Sequence, residues 1–278
     1  MLRRADVGNG RFTDQSACLI ASFATSGRTT ADMPPAGGPD TTTWGFPTIH
    51  HSGWTTGHHF AMRTEVRYRV AVAGAELRML VLAPQVDGCV GIDLDSGAFV
   101  RAIYSTDEGE PLEAFDVTRA PIGLPLDPPD SVRPEAVAMA CAPERIGSLS
   151  PRRAERYLHA LRHPAQGPLL GFAGVTVPYW TLGGDRPSLA LVEPTEGPLV
   201  LAGPGGYECR FGWQGTVQQL PLGDHRLATE LVGLRRRRSS PRELTPILGY
   251  RPGRLLVVVA GPTGGNCTKQ VAALLPGR

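Results

Sequence analysis

Apolar and polar positions alternate most regularly between Phe60 and Val72, where Phe60, Met62, Val66, Tyr68 and Val70 fall on one face and Arg63, Glu65, Arg67 and Arg69 on the other. A period of two belongs to a strand with one buried side and one wet side. Further along, the pattern changes to short runs of Val, Leu and Ala that end in a Pro/Gly cluster, as at Met79–Ala83, Leu199–Ala202 and Val257–Ala260. Such runs suit strands buried on both faces, and the cluster after each predicts a turn back into a second strand. The same reading predicts strands at Leu169–Ala173, Ser188–Val192, Tyr207–Trp213, Thr216–Leu220, Leu255–Ala260 and Thr268–Leu275. One helix stands out near 151–162. Ser150 supplies an N-cap, Pro151 a first-turn proline, and Ala154, Tyr157, Leu158 and Leu161 an apolar stripe before Pro164.

The apolar runs recur. Ala83, Ala142, Ala202 and Ala260 each end one and stand 59, 60 and 58 residues apart, and Pro134, Pro194 and Pro252 lie eight residues before the last three. The third and fourth copies share the pattern Ala-Gly-Pro-x-Gly-x-x-Cys, with Cys209 and Cys267 in matching positions and Cys89 close to that position in the first. The expectation is a mainly β fold of tandem β-hairpin repeats of about 59 residues. It is propeller-like, with paired β-sandwiches as the alternative, and carries one inserted helix. Four such units begin near Thr43 and reach the C-terminus. Residues 1–43, where Thr, Gly, Pro and Asp dominate without periodicity, therefore read as a disordered or loosely attached arm, and 44–278 as the β-repeat domain.

Composition narrows the classes. A 278-residue chain with 41% hydrophobic residues can bury a full core. The net charge is only +2, yet Lys269 is the sole lysine among 28 basic residues, a bias that codon composition explains. Five cysteines in so long a chain do not make a disulfide framework. They point to a reducing compartment and a cytoplasmic location, with export as the alternative through the signal-like Ala17–Ala24. No apolar run is long enough to span a membrane, and a membrane is not expected among the partners.

The most chemical-looking segment is His50-His51-Ser52-Gly53-Trp54-Thr55-Thr56-Gly57-His58-His59. As a hairpin it sets His50 against His59 and His51 against His58, close enough for two imidazoles to share a zinc or another divalent metal. A catalytic zinc needs a third protein ligand, which nothing nearby supplies, so a solvated His-rich loop is the competing reading. The row Arg63, Arg67 and Arg69 is the candidate anion-binding surface, unless Asp107, Glu108, Glu110 or Glu113 neutralises it across the sheet. Arg235–Arg238 reads as a solvated basic loop. With no interleaved aromatic residues beside it, nucleic acid is not an expected partner. Asp93-x-Asp95-x-Gly97 lacks the later ligands of a calcium loop and reads as a hairpin turn. Gly203-Pro204-Gly205-Gly206 lacks the residues of a phosphate cradle, and no nucleophile signature occurs. Two function classes remain: a non-catalytic β-repeat scaffold that binds a protein or an anionic ligand, and a metal-dependent hydrolase built on the histidine cluster.

Overall fold

Residues 72–106, 110–126, 130–158, 167–183 and 186–277 are described by a computed structural model, and among them the chain forms three β-sheets and three short helices. The first sheet takes β1 (Glu76–Gln85), β2 (Gly88–Asp93), β3 (Phe99–Ile103), β4 (Asp116–Pro121), β5 (Ala136–Ala138) and β6 (Glu144–Ser148) in the order β5-β3-β2-β1-β4-β6. Only β3 and β5 pair in parallel. The sheet curls until Ile122, just past β4, bridges to Met139, just past β5, which makes it a half-barrel. Its concave side is filled by Leu77, Met79, Val81, Cys89, Val100, Ala102, Ile122 and Val137. Gly91 has to lack a side chain there, because a Cβ would lie 2.4 Å from the Leu80 carbonyl oxygen and 2.6 Å from Met79 Cγ.

The second sheet lies between the other two. It joins β7 (Thr176–Pro178), β14 (Asn266–Pro276), β13 (Pro252–Thr263) and β8 (Leu189–Val192) in the order β7-β14-β13-β8. Successive residues of β13 divide between two cores. Leu256 and Val258 meet Leu80, Leu82, Val90 and Ile92 of the half-barrel, while Leu255, Val257 and Val259 face the third sheet. The third sheet holds β9 (Glu196–Gly203), β10 (Gly206–Trp213), β11 (Thr216–Pro221) and β12 (Arg238–Ser239) in the order β11-β10-β9-β12. Val200, Cys209, Phe211, Trp213 and Leu220 are its contribution to the shared core, joined by Leu227 and Leu231 of α2 (His225–Gly233) and Leu244 of α3 (Pro241–Leu248). Ala272 is an extra residue opposite the Leu256/Val257 step of β13. The bulge shifts the alternation, so Val271 and Leu274 stay on one side while Ala273 and Leu275 take the other.

Polar groups fasten the half-barrel to the central sheet. Glu135, 3% exposed, accepts hydrogen bonds from the Ser188 and Leu189 amides, at 2.7 and 3.2 Å, and from the Ser188 hydroxyl. Arg101, buried on β3, donates Nη2 to the Val259 carbonyl at 3.3 Å. Burial, then the neighbouring Arg133 cation, push the Arg101 guanidinium down to about 10, against the pull of Glu135, Asp87 and Asp130. Arg133 is held in turn by Asp130 at 2.6 Å and Asp87 at 2.7 Å.

The mainly β expectation is met: the described strands form three sheets, one of them a curled half-barrel, and neither a propeller of 59-residue repeats nor its alternative of paired β-sandwiches is shown among them. Three of the four repeat windows are antiparallel hairpins, β1–β2, β9–β10 and β13–β14. The innermost pairs are Gln85 with Gly88, Gly203 with Gly206 and Thr263 with Asn266, so Ala83, Ala202 and Ala260 stand two, one and three residues before them. The windows thus share a hairpin but not a register. Ala142 lies outside any strand, between β5 and β6. Each hairpin also has different neighbours, since one lines a half-barrel and another is sandwiched between two layers. The inserted helix is α1 (Pro151–Leu158), with Ala154 and Leu158 buried as its stripe requires; 159–166 lie outside the described residues. Leu169–Ala173 does not form the expected strand: Leu169–Gly171 is a 3-10 turn with Leu170 at φ +55°. The arm at 1–43, the boundary near Trp44 and nearly all of the Phe60–Val72 strand lie outside the described residues.

Candidate ligand-binding cleft

A cavity of about 810 Å³ opens where the half-barrel, the two C-terminal helices and the end of β14 meet. The segment leading into β4 forms one wall, and its backbone takes an uncommon path. Phe115 sits at φ +74°, a left-handed conformation that a bulky side chain rarely adopts. It is held there from both sides: its N–H donates to the Val81 carbonyl at 2.8 Å, and its own carbonyl accepts from the Leu149 amide at 2.9 Å. The turn is closed by Asp116, which accepts from the Glu113 amide at 2.8 Å. Backbone strain of this kind costs on the order of 1 to 3 kcal/mol and concentrates at functional positions. Its result is to aim the Phe115 ring into the cavity, edge-on to Tyr250 with centroids 5.7 Å apart.

The opposite wall comes from the helices. Asp224 caps α2 by accepting the Leu227 amide at 2.9 Å. Burial raises the Asp224 carboxyl above its usual range, only partly offset by that hydrogen bond and by Arg226. Tyr250 follows α3 directly, after Gly249 has ended the helix in a left-handed turn at φ +75°. Its hydroxyl donates to the Leu274 carbonyl at 2.8 Å, and burial, then the charge of Asp224, raise the phenol. Leu82, Leu227, Ile247, Ala272 and Leu274 complete an apolar floor.

Charge gathers at the mouth. Arg226 reaches across to Glu113 at 3.0 Å, both more than half exposed, and Arg145 meets Glu110 at 3.2 Å and Asp116 at 3.9 Å. Each guanidinium has five N–H donors, and these contacts engage one or two of them. Four carboxylates line the cavity beside them: Asp116 accepts from the Glu113 amide and faces Arg145, Asp224 accepts from the Leu227 amide, Glu113 pairs with Arg226, and Glu230 stands on the same helix. The mouth carries both signs of charge, with guanidinium N–H donors left over, and the floor is apolar and aromatic.

His50, His51, His58 and His59, together with Arg63, Arg67 and Arg69, lie outside the described residues. Of the acidic residues considered as partners for the arginine row, Glu110 pairs with Arg145 and Glu113 with Arg226 among the described residues. Among the described residues no group of three His, Cys, Asp or Glu side chains is placed to hold a metal ion. Asp93 is confirmed as a turn residue: its carboxylate accepts from the Asp95 and Ser96 amides and the Ser96 hydroxyl. Cys89, Cys209 and Cys267 are buried strand residues without disulfides, and burial pushes the first two thiols up to about 12. The cleft residues were missed because nothing marks Arg145 or Arg226 among so many arginines. Asp224 three residues before Leu227 was the one available sign, as an N-cap. No family model, curated protein or solved structure matches this chain.

Proposed function

We propose that this chain is a non-catalytic binding protein that takes a small anionic, partly apolar ligand in the cleft between its half-barrel and its C-terminal helices. The observation that carries the reading is a cavity of about 810 Å³ with the Phe115–Tyr250 pair in its wall and two incompletely engaged guanidiniums at its mouth. Ligand sites combine an apolar lining with a few convergent polar groups in this way. A ligand carboxylate, sulfonate or phosphate competes with Glu113 for Arg226 and with Glu110 for Arg145, while its apolar body lies on Phe115, Leu227 and Ile247. The exchange costs little, because Glu113 and Glu110 are well exposed and regain water when released.

Anilinonaphthalene sulfonate, an aromatic anion, is a suitable fluorescent probe. The folded protein should bind one equivalent. Arg145→Ala with Arg226→Ala should weaken binding by about tenfold or more, the scale of charge-assisted hydrogen bonds. Ala114→Trp, which fills the cleft without touching its charges, should abolish binding while thermal unfolding shows the fold retained. Affinity should also fall as pH rises through the elevated Asp224 value, since ionising that carboxyl adds a like charge beside the anion. Unchanged affinity in both variants contradicts the reading.

A further inference from the structure

The turn between α2 and α3 presents seven consecutive exposed residues, Val232 to Arg238. Gly233 ends the helix, Leu234 caps it, and Arg235 at φ +51° turns the chain toward the short strand β12, which pairs with β9 at the border of the third sheet. Two observations separate this segment from an ordinary solvated loop. First, among the described residues its charge is not neutralised locally. Five arginines, at 235–238 and 242, share one acidic neighbour in this stretch, Glu243. That carboxylate already accepts from the Ser240 amide and hydroxyl, both at 2.8 Å, and among the described residues its one ion pair is with Arg236, at 3.3 Å. The Ser240 amide, before its other partners, holds it below the usual carboxylate range. Second, the cations flank apolar side chains left in water: Val232 is 65% exposed and Leu234 53%.

We infer that this ridge is a peripheral docking surface for a lipid bilayer with anionic headgroups. A run of seven consecutive exposed residues can meet a broad plane, and exposed apolar side chains beside arginines match the two components of an interface, headgroup phosphate and acyl boundary. Nucleic acid fits less well, because the stacking aromatic side chains that single strands require are missing from Val232–Glu243, and its exposed Val and Leu have nothing to meet in a phosphate backbone. Contact of this kind needs no spanning helix, and among the described residues no helix is long and apolar enough to cross a membrane.

Co-sedimentation of the full chain with vesicles of phosphatidylcholine alone, or of phosphatidylcholine mixed with phosphatidylserine, tests the inference. Binding should require phosphatidylserine and weaken with salt. Replacing Arg235, Arg237, Arg238 and Arg242 by Gln should lower the partition coefficient by about fivefold per arginine, the equivalent of roughly 1 kcal/mol each. Val232→Ser with Leu234→Ser should lower it by about tenfold, with both variants unfolding at the wild-type temperature. Equal binding to neutral vesicles, or no loss in either variant, overturns the proposal. So does RNA homopolymer binding as strong as vesicle binding together with an unaffected Val232/Leu234 variant, which would make the ridge a general polyanion contact.

Discussion

Arginine has opposite roles in two regions of this molecule. At the sheet junctions it is enclosed: Arg101 bonds the Val259 carbonyl, and Arg254, fully buried on β13, donates to the Pro276 carbonyl and to Glu155 of α1, both at 3.1 Å. On the α2–α3 ridge Arg235, Arg237 and Arg238 are all exposed, and no carboxylate lies within ion-pair distance of them among the described residues. The residue type is the same and the energetics are not. A buried cation must be compensated, so each junction arginine ties two elements together, whereas the ridge arginines impose nothing on the fold and remain available to an outside anion.

The sharpest way to break this contrast is to unpair the junction. Glu135→Ala strands the Ser188 hydroxyl and two amides and leaves Arg101 with one counter-charge fewer, so it should cost about 3 to 5 kcal/mol in urea unfolding. A loss below about 1 kcal/mol would mean that water enters the junction. Arg254→Ala should cost about 3 kcal/mol by opening a cavity and stranding its partners, while Arg254→Met, which keeps most of the volume, should come much closer to wild type. If the two variants are equally destabilised, the guanidinium and not its packing is what matters.

How far the sequence reveals this arrangement depends on what a region buries. The runs Leu255–Ala260 and Val271–Leu275 are apolar because both faces of the central sheet are covered, and those strands are legible from pattern alone. The hairpins at Ala83, Ala202 and Ala260 are legible for the same reason, with their Pro/Gly turns. Their registers are not, because bulges at Leu82 and Ala272 are set by the opposing layer. Helix α3 carries its signals openly, Ser240 and Glu243 as a capping box, Pro241 at the first position and Gly249 at the end. Pro246 and the arginines before it nevertheless disguise a helix of only eight residues. The cleft was not legible at all, since it draws Phe115, Arg145, Asp224 and Tyr250 from four separate segments.

Lys269 sharpens the contrast from a third side, as a buried cation with no carboxylate in ion-pair distance among the described residues. It is 2% exposed, donates to the Phe172 carbonyl at 2.6 Å and lies 4.0 Å from the centre of the Phe172 ring. Burial pushes its amine down to about 8 from an ordinary 10.5. Between these values the unfolded chain binds more protons than the folded one, so this group makes stability rise with pH, by about 1 kcal/mol from pH 7 to 9. Above about pH 9 the raised thiols of Cys89 and Cys209 act in the opposite sense. Urea unfolding of Lys269→Met should lack the rise, and a variant that keeps it would place its origin elsewhere. The smallest effect is expected on the ridge, where Arg237→Gln should change stability by no more than about 0.5 kcal/mol.

The central claim is that the cleft and not the ridge receives a small anionic ligand. Backbone amide chemical shifts of the labelled protein, followed during titration with anilinonaphthalene sulfonate, test it most directly. The expected result is saturable shifts at Ala114–Asp116, Arg226–Glu230 and Ile247–Tyr250, with Arg235–Arg238 unmoved at moderate salt. Shifts confined to Arg235–Arg238, with the cleft residues silent, would contradict the account.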